Sequence, residues 1–168
     1  DALLRESDIG VSIVPHLNKE DAQAILERLH PDIVLLDGSR FIKSHIFSLA
    51  KIGALNVHPG LLPEYRGLDS VRWAIFHRKN VGATCHFIDE GIDTGPILGK
   101  EVVSYKKGES LLHIRVSVMR VSVKLMMRCV HGLLDGTLVP QEQEEEGGYY
   151  TWAPKEVQEA VDTFLAHS

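Results

Sequence analysis

Two cysteines in 168 residues, Cys85 and Cys129, are too few for a disulfide framework and predict a reduced, cytoplasmic setting. No apolar run is long enough to cross a bilayer and no signal-peptide pattern is seen, so no membrane association is expected. Basic charge is also short. The 18 Lys and Arg face 23 Asp and Glu, giving a net charge of −5, whereas non-specific nucleic-acid binding needs a basic face. The 9 histidines include no His-Glu-x-x-His and no paired Cys/His spacing, which predicts no metal site. Glycine-rich phosphate loops, a Gly-x-Ser-x-Gly elbow, internal repeats and low-complexity tracts are all missing. What remains is the composition of an ordinary globular protein, 44% hydrophobic and 24% charged. The length fits one domain over residues 1–168 with a sizeable core.

Periodicity orders the elements. Asp8 to Val14 alternates apolar and polar residues and predicts a strand stopped by Pro15. Asn18 is expected to cap a helix running to about His30, with Ala22, Ile25, Leu26 and Leu29 as its apolar stripe. Ile33 to Leu36 is a continuous apolar run, as in a parallel strand covered on both faces. A short helix over Ser44 to Lys51 follows. Asp69 or Ser70 is expected to cap a helix holding Val71, Trp73, Ala74, Ile75 and Phe76. Val81 to Ile88 reads as a strand, and Ile97 to Tyr105 as another, antiparallel to its neighbour because the link is too short for a helical crossover. Glu109 to Leu134 predicts one long helix with Leu112, Val116, Met119, Val123, Met126, Met127 and Val130 on its inner side. Gln141 to Gly148 reads as an acidic surface loop, after which Tyr149, Tyr150 and Trp152 pack back and Pro154 starts a last helix. Strands alternating with helices predict an α/β domain with a mostly parallel sheet.

One stretch concentrates the chemistry: Asn56-Val57-His58-Pro59-Gly60-Leu61-Leu62-Pro63-Glu64-Tyr65-Arg66-Gly67. Side chains alternate on a strand, so Asn56 and His58 leave one face where the strand stops. That edge is where α/β sheets bind ligands. Pro59, Gly60, Pro63 and Gly67 then fix the loop. A second polar loop, Asp89 to Pro96, carries Asp93. Taken singly these residues have plain readings: a turn former beside a partly buried histidine, a turn aspartate, and Arg66 closing a loop. His86 reads as a half-buried or supporting group on its strand. Taken together they suit acyl or formyl transfer to an amine. Asn and His can donate to a tetrahedral oxyanion. His and an Asp whose pKa burial raises toward neutrality can move the amine proton. Phe41, Ile42, Leu62 and Ile88 could flank an apolar cleft for a flat-ringed donor.

These residues, with Gly82-Ala83-Thr84, His86-Phe87 and Asp89 through Pro96, resemble the 10-formyltetrahydrofolate-dependent formyltransferases, most strongly over residues 20 to 105. The resemblance implies a Rossmann-like domain with 10-formyltetrahydrofolate as formyl donor, a small-molecule amine acceptor rather than nucleic acid, and no metal. Asn56, His58 and Asp93 match the family's catalytic trio. Arg40, Phe41 and Ile42, with Ile88, Asp89, Ile92 and Asp93, match the walls of its folate cleft, partly through backbone groups. Gly60 stands where the family often has serine, a change that bears on acceptor contacts more than on chemistry. The family's first β-α-β segment has no counterpart before Asp8, so a sheet edge is expected to need cover from a second copy or an upstream segment. The same trio would serve a 10-formyltetrahydrofolate hydrolase. A folate-binding module without turnover is the other alternative.

Overall fold

The computed structural model describes residues 9–38, 41–144 and 147–166. In chain order the elements are α1 (Glu20–Leu29), β1 (Ile33–Leu36), α2 (Ser44–Phe47), β2 (Gly53–His58), β3 (Tyr65–Gly67), α3 (Ser70–Phe76), β4 (Val81–Phe87), β5 (Ile97–Val103), α4 (Leu111–Leu134), β6 (Gly148–Tyr150) and α5 (Lys155–Ala166). The main sheet has the order β1-β2-β4-β5, and β3 and β6 form a separate two-stranded sheet. Helices pack against this sheet, giving an α/β domain. Among the described residues no helix is long and apolar enough to cross a membrane.

β2 is the strand on which the rest hangs. It pairs in parallel with β1, from Ile33 opposite Gly53 to Leu36 opposite Asn56. On its other side it pairs antiparallel with β4, from Leu55 opposite Phe87 to His58 opposite Thr84. β4 and β5 are antiparallel, as their short link predicts. The sheet is therefore mixed rather than mostly parallel. The chain leaves β2 beyond His58 and, after β3 and the short α3, re-enters at the same end. Leu55, Ala83 and Cys85 line the sheet face that carries the core, against Ile114, Val118, Leu125 and Cys129 of α4 and Val161 and Leu165 of α5.

Several local expectations change. Residues 9–14 form no strand; Ile13 is 95% exposed, and alternation without a ladder partner does not make a strand. Asp8 lies outside the described residues. Asn18 does not cap α1, whose N-cap is Lys19; its side chain joins Phe41 O at 2.9 Å and Lys43 N–H at 2.7 Å instead. The helix expected over Ser44 to Lys51 closes at Phe47. In α4 the inward line is Ile114, Val118, Leu125, Cys129 and Gly132, whereas Leu112, Met119, Val123 and Met127 are exposed. Both lines have helical spacing, so periodicity alone could not choose between them. Tyr150 packs on Trp73 with ring centroids 4.9 Å apart, but Tyr149 and Trp152 are exposed.

Candidate active site

Opposed residues of an antiparallel pair share a face. Asn56 is opposite His86 and His58 is opposite Thr84, so four polar side chains stand together on the face away from α4. All but Asn56 are buried, and buried polar groups must find partners. The loop after β2 supplies them. Thr84 Oγ1 donates to Gly60 O at 2.8 Å and accepts from Leu62 N–H at 3.1 Å. Ser70 Oγ donates to Pro59 O at 2.8 Å. Gly60 leaves room for the imidazole: a β-carbon there would lie 2.7 Å from His58 Nε2.

His58 Nε2 lies 2.6 Å from Tyr65 O. A carbonyl only accepts, so Nε2 carries the hydrogen and Nδ1 of the neutral ring keeps its lone pair. That lone pair lies 3.3 Å from Asp93 Oδ2. Two acceptors at this separation leave a seat for one proton. Burial lowers the His58 pKa below 6.5, partly offset by the Asp93 charge and the Tyr65 bond. The ring is thus held neutral and able to take that proton at neutral pH.

Asp93 sits at φ 55° in the loop after β4, a left-handed conformation that aspartate tolerates better than most residues. Asp89 braces the loop by accepting from Gly91 N–H at 3.0 Å and from Thr94 Oγ1 at 2.7 Å. Gly67 N–H donates to Asp93 Oδ2 at 2.8 Å. The pKa of Asp93 lies below its ordinary value, not above it as burial alone predicts. Burial does push it up, but in the acid range where Asp93 titrates, a hydrogen bond from His86, the charge that His58 then carries and the Gly67 N–H outweigh that push. Asp93 is therefore a standing carboxylate.

His86 was undervalued by sequence. Its Nδ1 lies 2.7 Å from Phe87 O and so donates, leaving Nε2 to accept from Asn56 Nδ2 at 3.2 Å. Nε2 is also 3.5 Å from Asp93 Oδ1, which it can serve once protonated. Gln143 was missed altogether. Its side chain bonds Asp93 O, Gly95 O and Arg66. Arg66 is thereby tied to the loop that carries Gln143. His86 left one signal, its place on the strand that leads into the Asp93 loop; Gln143, in an acidic run, left none.

The structure brings Asn56, His58 and Asp93 together through His86. Ile42 is buried, and Asp89 is committed to its own loop, while Phe41 and Ile92 are exposed. Arg40 lies outside the described residues.

Comparison with solved structures defines the class. The PseJ formyltransferase of Anoxybacillus kamchatkensis, solved with UDP-4,6-dideoxy-4-formamido-L-AltNAc and tetrahydrofolate, superposes with a TM-score of 0.74 at 27% identity, covering 92% of this chain and 80% of that one. A phosphoribosylglycinamide formyltransferase from Bacillus halodurans gives a TM-score of 0.62 at 32% identity, covering 68% of this chain and 60% of that one. The fold is that of the formyltransferases, a Rossmann-like α/β domain. The formyl transferase family profile matches residues 13–130, and the chain belongs to that family. Among curated relatives, the methionyl-tRNA formyltransferase of Clostridium tetani is 30% identical over 140 residues, 81% of this chain and 45% of that protein. The enzyme of the same name from Acidobacterium capsulatum is 34% identical over 130 residues, 76% of this chain and 42% of that protein. The chain spans less than half the length of these two relatives.

Proposed function

We propose that this chain carries the transfer site of an enzyme that moves a formyl group from 10-formyltetrahydrofolate to a primary amine. The observation that carries the reading is the bare Nδ1 of a neutral, buried His58 facing the Asp93 carboxylate at 3.3 Å. As the amine nitrogen bonds to the formyl carbon, the carbonyl electron pair moves to oxygen and the nitrogen must lose a proton. His58 Nδ1 takes it, and Asp93 holds the resulting imidazolium. Asn56 gives one amide hydrogen to His86 and keeps the second for the oxyanion. The carbon–nitrogen bond to the donor then breaks, and the proton passes from His58 to the departing nitrogen. His58 Nε2 stays on Tyr65 O throughout, so only one ring nitrogen serves the reaction.

Tetrahydrofolate in the PseJ structure supports a folate donor. The Phe41–Ile42 loop and the segment from Ile88 to Asp93 are the cleft walls that the sequence resemblance implies for it. The net charge of −5 favours a small amine over a nucleic-acid acceptor. Two free thiols fit a cytoplasmic setting. Calorimetric titration with 5-formyltetrahydrofolate, a non-transferring mimic of the donor, tests the reading. Binding weakened by Asp93→Asn is expected; no binding by folded protein overturns it. Formate released from 10-formyltetrahydrofolate without any amine would make the activity a hydrolase instead.

A further inference from the structure

The segment from Gln141 to Gly148 looks like a solvated acidic loop, yet one side chain in it spends almost all of its hydrogen-bonding capacity on the site. Gln143 Nε2 donates one hydrogen to Asp93 O at 3.0 Å and the other to Gly95 O at 2.7 Å. Its Oε1 accepts from Arg66 Nη2 at 2.9 Å. Two carbonyls that only accept and a guanidinium that only donates fix the amide orientation without ambiguity. No other side chain of this length offers two donated hydrogens and an acceptor in one plane. Glutamate would keep the Arg66 bond and lose both bonds to the loop.

We infer that Gln143 is a positioning residue, a clamp that fixes where the Asp93 carboxylate stands relative to His58. The clamp grips the Asp93 loop at two points, at the carbonyl of Asp93 itself and at that of Gly95 two residues on. The loop needs gripping because Asp93 holds a left-handed backbone at φ 55° that most residues avoid. At its other end the clamp is tied to Arg66, between Tyr65, whose carbonyl anchors His58, and Gly67, whose N–H anchors Asp93. Tyr65, Arg66 and Gly67 are held in turn by β6, in register Tyr65 opposite Gly148 to Gly67 opposite Tyr150. Gln143 therefore closes a ring in which both members of the proton-transfer pair are referred to one short strand. This role rests on the reading of His58 and Asp93 as that pair.

The test follows the His58 ring by NMR through a pH titration of the full chain. The groups facing that ring are Asp93 and, from β4, His86, with the Tyr65 carbonyl on Nε2. Asp93 raises the His58 midpoint by its charge, so Asp93→Asn is expected to lower it. Gln143→Met, which keeps length and removes all three bonds, is expected to reproduce at least half of that drop. Gln143→Glu keeps the Arg66 bond but cannot grip the loop. Loss of the His58–Asp93 contact in the Glu variant, seen as altered His58 and Asp93 shifts, is expected as well. A His58 midpoint unmoved by Gln143→Met while Asp93→Asn moves it would overturn the clamp alone. A midpoint unmoved by Asp93→Asn would overturn the His58–Asp93 pairing itself, and with it the proposed transfer site.

Discussion

Replacing Thr84 with valine separates the hydrogen bonds that hang the site loop from the packing around them. Thr84 is 0% exposed, and valine has nearly its shape, so little is lost in volume. What disappears is the hydroxyl that donates to Gly60 O and accepts from Leu62 N–H. Leu62 is itself 0% exposed, so its N–H is left without water or partner. An orphaned buried donor costs about 1–3 kcal/mol, and the carbonyl, with a second lone pair, somewhat less. The two together predict a loss of roughly 2–4 kcal/mol. Equilibrium urea unfolding reads this as a lower midpoint at unchanged slope. Thr84→Ser keeps both bonds and should lose only the methyl contribution, about 1 kcal/mol. A Thr84→Val change below about 0.5 kcal/mol, the scatter of ordinary surface substitutions, would mean that the loop does not hang on Thr84.

Transfer needs His58 neutral, so the rate should fall with acid through a midpoint below 6.5; a midpoint above 6.5 would refute the buried-base account. His58 binds its proton less tightly folded than unfolded, so its burial costs stability as pH falls below 6.5. Asp93, also lowered, adds stability above 3.8 that is lost as pH falls through its folded value. Stability measured across this range should therefore rise with pH. Gly67→Ala places a β-carbon 2.2 Å from Tyr150 O at a φ of 89°, so a thermal melt should show destabilisation of about 2 kcal/mol or more. Asp69, with its carboxylate buried, pairs with Arg72 at 3.3 Å and with Arg115 of α4. A double-mutant cycle on Asp69→Asn and Arg115→Gln should give a coupling of roughly 0.5–3 kcal/mol, and no coupling would remove α4 as a support of the site turn.

The trio of polar residues was legible because side-chain chemistry and strand alternation both point to it. Asn56 and His58 are two apart at a strand end, and Asp93 lies in a polar, glycine-containing loop directly after the next strand pattern. The partners that set their states were not legible. Tyr65 acts through its carbonyl and Gly67 through its N–H, groups that every residue owns. Without Tyr65 O there is no way to know which nitrogen of His58 is bare. His86 needed the antiparallel pairing of β2 with β4 to bring it opposite Asn56, and that pairing runs against the parallel sheet that alternating strands and helices suggest. The depressed Asp93 pKa needed the same information, because burial acting alone has the opposite sign. In α4 the apolar residues fall on two lines, and only the position of the sheet tells which line is inside.

The most direct test is the formation of tetrahydrofolate from 10-formyltetrahydrofolate by the full chain, with a panel of primary amines, for the native protein and for His58→Ala and Asp93→Asn. Amine-dependent turnover that falls by about two decades or more in both variants is the result predicted, the size usual for acid–base and oxyanion groups. Turnover that survives unchanged in both variants would contradict the assignment of transfer to the His58–Asp93 pair.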